Sequence, residues 1–182
     1  MRLFTALCAL ATAFGVSACT ASGYRDTSRK MEAVEDLDLE RYRGLWYEIA
    51  RFPNRFETDC AGVTAEYGQR EDGRISVVNT CHKGSPDGPV EVARGVAEVV
   101  GPGKLKVSFL PWLPFWLPVG KGDYWVLYVD PAYSLAVVGE PSGSTGWILA
   151  RNPTVEPEKY DKGVSILQAM GYDTSQLQRV AQ

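Results

Sequence analysis

From about residue 45 onward the chain alternates apolar and polar residues in short runs broken by turn residues. Val63, Ala65 and Tyr67 alternate with Thr64, Glu66 and Gly68, the period-two pattern of a strand with one wet face. A second run at 75–79 follows across Arg70-Glu-Asp-Gly-Arg74, and Asp72-Gly73 between two such runs predicts a hairpin. Further runs at 45–52, 90–100, 104–110, 124–129, 135–139 and 147–151 are separated by Gly-Pro, Asp-Pro and Pro-Ser-Gly punctuation. Eight strands in hairpin order predict an all-β fold, an up-and-down barrel or a sandwich, and spacing alone does not separate the two. The runs at 124–129, 135–138 and 147–150 are apolar on both faces, so something must cover their outside. Residues 156–170 predict that cover: Pro157 suits a first helical position, Glu158 its positive end and Gly171 its stop, while Tyr160, Val164 and Leu167 form an apolar stripe.

Composition narrows the function. With 182 residues the chain makes one ordinary domain, and a net charge of −3 gives no counterion-release drive toward phosphate backbones, so no nucleic-acid partner is expected. A charged fraction of 23% beside 45% hydrophobic residues is unlike a disordered chain. His82 is the single histidine and has no Cys-x-x-Cys or His-x-x-x-His set around it, so neither a metal nor another cofactor is expected.

The N-terminus reads as an address. Arg2 precedes an apolar stretch from Leu3 to Val16 that is too short to span a bilayer and suits a signal peptide. Val16-Ser-Ala-Cys19 then resembles the lipobox of bacterial lipoproteins, which implies removal of residues 1–18 and a diacylglycerol on Cys19. Thr20 after that cysteine favours the outer membrane under enterobacterial sorting rules, on its periplasmic face. Residues 19–36, polar and without periodicity, read as an acylated flexible tether, and the domain as 37–182.

Gly44-Leu-Trp-Tyr-Glu-Ile-Ala-Arg51 resembles the Gly-x-Trp signature that opens the first strand of the lipocalins. Gly122-Asp123-Tyr124 matches the family's Thr-Asp-Tyr position with Gly for Thr, and Arg151 its third signature. The runs around Trp46 and Asp123 are similar to those of bacterial outer-membrane lipocalins, plant temperature-induced lipocalins and apolipoprotein D. The resemblance implies a barrel with one outer helix. Gly44, Trp46 and Arg151 would hold its base, with Arg151 over the Trp46 ring in a contact worth about 0.5–2 kcal/mol.

It also implies a calyx for small hydrophobic molecules, in the bacterial branch fatty acids or lysophospholipids. At about 0.8 kcal/mol per methylene, a sixteen-carbon tail offers about 12 kcal/mol against roughly 4–15 kcal/mol of association cost, which suits micromolar binding. Strand parity points Val63, Ala65, Tyr67, Ile75, Val77, Val107, Phe109, Tyr124, Val126 and Tyr128 toward the lumen, unless a bulge flips part of the set. For any one of them plain barrel filling is the equal alternative to ligand contact.

Cys60 and Cys81 flank the predicted hairpin. With Cys8 leaving in the signal and Cys19 acylated, they are the thiols left in an oxidising compartment, and a disulfide is expected. A catalytic thiol, as in the lipocalin-type prostaglandin synthases, is the alternative, but only His82 stands near to activate one.

Leu110-Pro-Trp-Leu-Pro-Phe-Trp-Leu-Pro118 is the most individual segment. Pro111, Pro114 and Pro118 forbid a helix or a paired strand, so six large apolar side chains sit where regular structure cannot bury them. Plant temperature-induced lipocalins carry a similar loop associated with membrane attachment. Trp112, Phe115 and Trp116 are therefore candidates for a bilayer contact or a guard at the calyx mouth, with a homodimer contact or a self-packed lid as alternatives. Two functions stay open, a non-catalytic lipid carrier and an enzyme acting on a lipid held in the lumen. Against catalysis, no Gly-x-Ser-x-Gly elbow is present and Pro141-Ser-Gly-Ser-Thr-Gly146 is the nearest serine loop.

Overall fold

A computed structural model describes residues 23–110, 112, 113, 117 and 119–182. Strands β1 (Gly44–Arg51), β2 (Cys60–Gln69), β3 (Ile75–Lys83), β4 (Val90–Gly101), β5 (Lys104–Ser108), β6 (Lys121–Val129), β7 (Leu135–Gly139) and β8 (Gly146–Ala150) pair antiparallel in sequence order. β1 pairs with β8 on one side and β2 on the other, which closes the sheet into an eight-stranded barrel and removes the sandwich alternative. A ninth strand, β9 (Gln178–Arg179), adds to β1 opposite Ala50 and Arg51. Two residues make too short a run to show in an alternation pattern.

Local chemistry explains the joints. Gly73, at φ 78°, occupies the left-handed region that the β2–β3 turn requires, and the Asp72 carboxylate takes Arg70, Arg74 and the Arg74 backbone N–H. Those two guanidinium groups hold the Asp72 carboxyl well below the usual range. The short helix α1 (Leu39–Tyr42) starts at Asp38, whose side chain accepts the Glu40 and Arg41 N–H groups at 2.9 and 3.2 Å. It delivers Tyr42 beneath the barrel.

The fold has two apolar layers. One fills the barrel and contains Trp46, Tyr67, Ile75, Val77, Leu105 and Val126. The other lies outside, where α2 (Pro157–Ala169) covers β7 and β8 through Leu167 and Gly163 against Leu135, Val137 and Ile148. The predicted outer helix is thus present over the strands that needed it, and Gly171 ends it at φ 92°.

Two expectations are corrected. Described residues 23–36 are packed along the barrel: Tyr24 stacks on Phe52 at 4.9 Å, Met31 is buried, and the Val34 N–H donates to Val126 O at 2.9 Å. The apolar residues Tyr24, Met31 and Val34 follow no regular period, so the segment reads as tether although each finds a site. The second correction is Tyr128. A bulge between Val126 and Tyr128 turns its ring to the outer layer, 5.5 Å beneath Lys162 of α2.

Candidate functional site

The strands run between a base, where α1 and the turns at 70–74, 102–103 and 130–134 lie, and a mouth formed by the loops 52–59, 84–89 and 140–145 and the described residues between β5 and β6. At the base Trp46 has no exposed surface and its indole N–H donates to Tyr42 O at 2.8 Å. Arg151 lies 3.8 Å above the ring and donates to the carbonyls of Arg41, Tyr42, Arg43, Leu45 and Tyr133. Gly44 takes φ 85° at the strand entry, a conformation that L side chains rarely adopt. Asp123 lies opposite Lys106 on the neighbouring strand and meets its Nζ at 2.9 Å.

Beside Trp46, whose ring lies 5.0 Å from that of Tyr42, three hydroxyls meet. Tyr124 stands 2.9 Å from Tyr42 and 2.8 Å from Tyr67, and burial pushes all three phenols upward. Leu39, Tyr42, Tyr67, Ile75, Leu105 and Tyr124 enclose a cavity of about 10 Å³, room for a single water. A larger recess of about 570 Å³ lies outside the barrel beside Tyr24 and Tyr172; it is open to solvent and adjoins none of the interior side chains.

Of the residues expected to face the lumen, Tyr67, Ile75, Val77 and Val126 belong to the interior layer, and Ala65, Val107 and Tyr124 pack against it. Val63 is buried but belongs to neither layer. Phe109 lies just past the end of β5, exposed at the mouth, its ring close above Gly95. Cys60 and Cys81 form a disulfide between β2 and β3 at the mouth end. Trp112 is 73% exposed on the mouth loop, joined in exposure by Phe56 and Val119. Cys19, the rest of residues 1–22, and Phe115 and Trp116 lie outside the described residues.

A polar cluster near the mouth was not anticipated. Glu48 shares the inward face of β1 with Trp46 and is only 3% exposed. Its Oε1 accepts from Arg51 at 2.8 Å, and Glu57 of the 52–59 loop brings a second carboxyl toward it. Glu57 Oε2 also accepts the Trp147 indole N–H at 3.1 Å and the Asn54 side-chain amide. Burial pushes the Glu48 carboxyl well above the usual range, the Glu57 charge adds to this, and Arg51 opposes it. The signal was present in the pattern: parity puts a carboxylate two residues after Trp46 on the apolar face of a strand.

Comparison with known proteins places this geometry. A family model described as a lipocalin-like domain matches residues 37–182. Temperature-induced lipocalin-1 of Arabidopsis thaliana is 42% identical over 158 residues, 85% of this chain and 84% of its own length. Outer membrane lipoprotein Blc of Escherichia coli is 36% identical over 179 residues, 96% of this chain and 94% of its own. Apolipoprotein D of Mus musculus is 34% identical over 157 residues, covering 79% of this chain and 76% of its own. Among solved structures, insecticyanin from Manduca sexta superposes with a TM-score of 0.65 at 23% identity, over 88% of this chain and 87% of that one, which shows the shared fold.

Proposed function

The chain belongs to the lipocalin-like family, and from that premise we propose that it is a lipid-anchored outer-membrane lipocalin that stores or transports single-chain lipids, fatty acids or lysophospholipids, in envelope maintenance or stress. The observation that carries the reading is a closed barrel whose inner wall is apolar and aromatic and whose mouth is rimmed by exposed Phe56, Phe109, Trp112 and Val119. An apolar wall suits an acyl chain, and an apolar rim suits a protein that takes its ligand from a bilayer. The role is binding rather than catalysis, in keeping with a family of binding and transport proteins.

The relatives named as outer membrane lipoproteins in Escherichia coli and Vibrio cholerae support the address. In this reading residues 1–18 are a signal peptide, Cys19 carries diacylglycerol and an amide-linked acyl chain such as palmitate, and the protein sits on the periplasmic face. The 110–118 loop dips into the membrane beside that anchor. Replacing Trp112, Phe115 and Trp116 by Ser in anchor-free protein is expected to abolish liposome binding, and unchanged binding would sink the membrane role of the loop. Native mass spectrometry of protein from its own membrane is expected to show a retained single-chain lipid; a barrel that comes out empty and takes up no fatty acid or lysophospholipid counts against the lipid reading.

A further inference from the structure

We propose that residues 23–26 clamp the start of the folded chain to the mouth of the barrel, so that a bilayer holding an anchor at Cys19 covers the apolar mouth rim and not the base. This rests on the lipid-anchor reading of Cys19 and adds to it which end of the barrel meets the membrane. The clamp is made of backbone and side-chain hydrogen bonds. The Tyr24 N–H donates to Gly143 O, and the Tyr24 carbonyl accepts from the Asp173 N–H, both at 2.7 Å. The Asp26 N–H donates to Gly171 O at 2.9 Å. Arg25 donates through Nε to Met170 O at 2.7 Å and through NH1 to Pro141 O at 2.9 Å. The Tyr24 hydroxyl donates to Pro53 O at 2.7 Å while its ring stacks on the buried Phe52. Residues 23–26 are thus tied to the 52–59 loop, the 140–145 loop and the chain just past α2.

Close packing fixes the place of the clamp. A Cβ on Gly23 would stand 2.5 Å from Ser142 O, and one on Gly143 would stand 2.1 Å from the Arg25 Cβ, so the two backbones meet at a distance that only glycine allows. From there the segment descends outside the barrel. Met31 is buried in the outer layer, and Val34 reaches the 102–103 turn at the base, where a Cβ on Gly103 would stand 2.4 Å from its carbonyl oxygen. The chain therefore enters the fold at the mouth and arrives at the base only at Val34.

Chain length then limits the orientation. The four residue steps from Cys19 to Gly23 reach at most about 14 Å when fully extended. The base turn at 70–74 lies a whole strand away from the mouth. The 10 residues of β2 rise about 33 Å along the strand, or about 25 Å in height at a tilt of about 40°. While the clamp holds, an anchor at Cys19 cannot draw the base onto a bilayer, whereas the mouth loops lie within its reach.

Surface chemistry selects the mouth over the flank. The flank beside the clamp is α2, whose exposed residues Glu158, Lys159, Asp161, Lys162, Ser165 and Gln168 are polar. The mouth carries the opposite character. Trp112 at 73%, Phe56 at 71% and Val119 at 62% are the most exposed large apolar residues among those described, and Val90 at the mouth end of β4 joins them at 57%. A short tether keeps this rim at high effective concentration against the bilayer, so a modest apolar area is enough to seat it.

The test uses the chain from Cys19 onward with its disulfide intact, which keeps every residue of the clamp and the barrel. Its Cys19 thiol is coupled to phosphatidylethanolamine and phosphatidylglycerol vesicles that carry a short-linked maleimide lipid, so the anchor does not depend on acylation in the cell. Amide hydrogen exchange at 84–89 and 140–145 is expected to slow at least fivefold on coupling, with the 70–74 turn unchanged. An insertion of about twelve Gly and Ser residues after Ala21 lies ahead of the clamp, raises the reach to about 55 Å and is expected to lose most of that protection. Tyr24→Ala with Arg25→Ala opens the clamp itself and is expected to lose it too. Slowing at 70–74 in place of the mouth loops, protection undiminished by the insertion, or equal protection on vesicles without maleimide lipid overturns the proposal. So does mouth protection that grows with protein concentration in the absence of vesicles, which would put a second copy on the rim. A free Cys19 thiol in protein from its own membrane would end the lipid-anchor reading alone, because the coupled vesicles still decide the orientation.

Discussion

At the base of the barrel, the buried Trp46 ring is covered by a guanidinium that meets five backbone carbonyls. Toward the mouth, an almost equally buried Glu48 meets one arginine. Both ends place charge in a poorly hydrated site, but they neutralise it differently. Arg151 is balanced by carbonyl dipoles and a π face, none of which titrates near neutral pH. Glu48 is balanced by the Arg51 guanidinium, and burial pushes its carboxyl well above the usual range. Trp46, which Arg151 covers, and Glu48 sit on one face of β1, Trp46 nearer the base and Glu48 two residues nearer the mouth, and the two charges are neutralised by different means.

The largest test of that contrast is Trp46→Ala. Emptying a fully buried indole from the base should cost about 3–5 kcal/mol in urea or thermal unfolding. A loss below about 1 kcal/mol would show that the ring does not hold the base. Next in size is Cys60→Ser with Cys81→Ser. Reopening a loop of sequence separation 21 should cost about 3 kcal/mol and raise exchange across the mouth while the base amides stay protected. Equal loosening of both ends would show that the ends are not independent. Tyr124→Phe removes the hydroxyl that both Tyr42 and Tyr67 contact, for about 1–2 kcal/mol. Burial holds all three phenols above their usual range, so that loss should be the same at pH 5 and pH 8.

The contrast also explains what could be read from the chain. The base was legible through the resemblance of Gly44, Trp46 and Arg151 to the family signatures, and the β2–β3 hairpin through the Asp72-Gly73 turn between strands whose alternation survives. The outer helix followed from strands apolar on both faces, and the disulfide from counting the remaining cysteines. Tyr128 was misplaced because a bulge shifts parity without leaving a residue-type signature. The packed segment at 23–36 and β9 were missed for a related reason, since sparse apolar residues carry no period until the barrel supplies their sites. Glu48 could have been found by asking why a carboxylate stood on the inward face, but Glu57 lies on a loop and approaches it only in three dimensions.

Phe56→Ser with Trp112→Ser should have the smallest effect on folding. These side chains are 71% and 73% exposed, so their removal forfeits little buried area, and unfolding should shift by no more than about 0.5 kcal/mol. A tryptophan lost from the base costs several kcal/mol, whereas one lost from the rim costs almost nothing, because burial rather than residue type sets the energy. A rim variant that loses more than about 1 kcal/mol would mean that these rings pack against the protein's own mouth as a lid. An unchanged midpoint together with weaker partitioning onto vesicles would mean that their apolar area is kept for a surface outside the chain, and would complete the division of labour between the two ends.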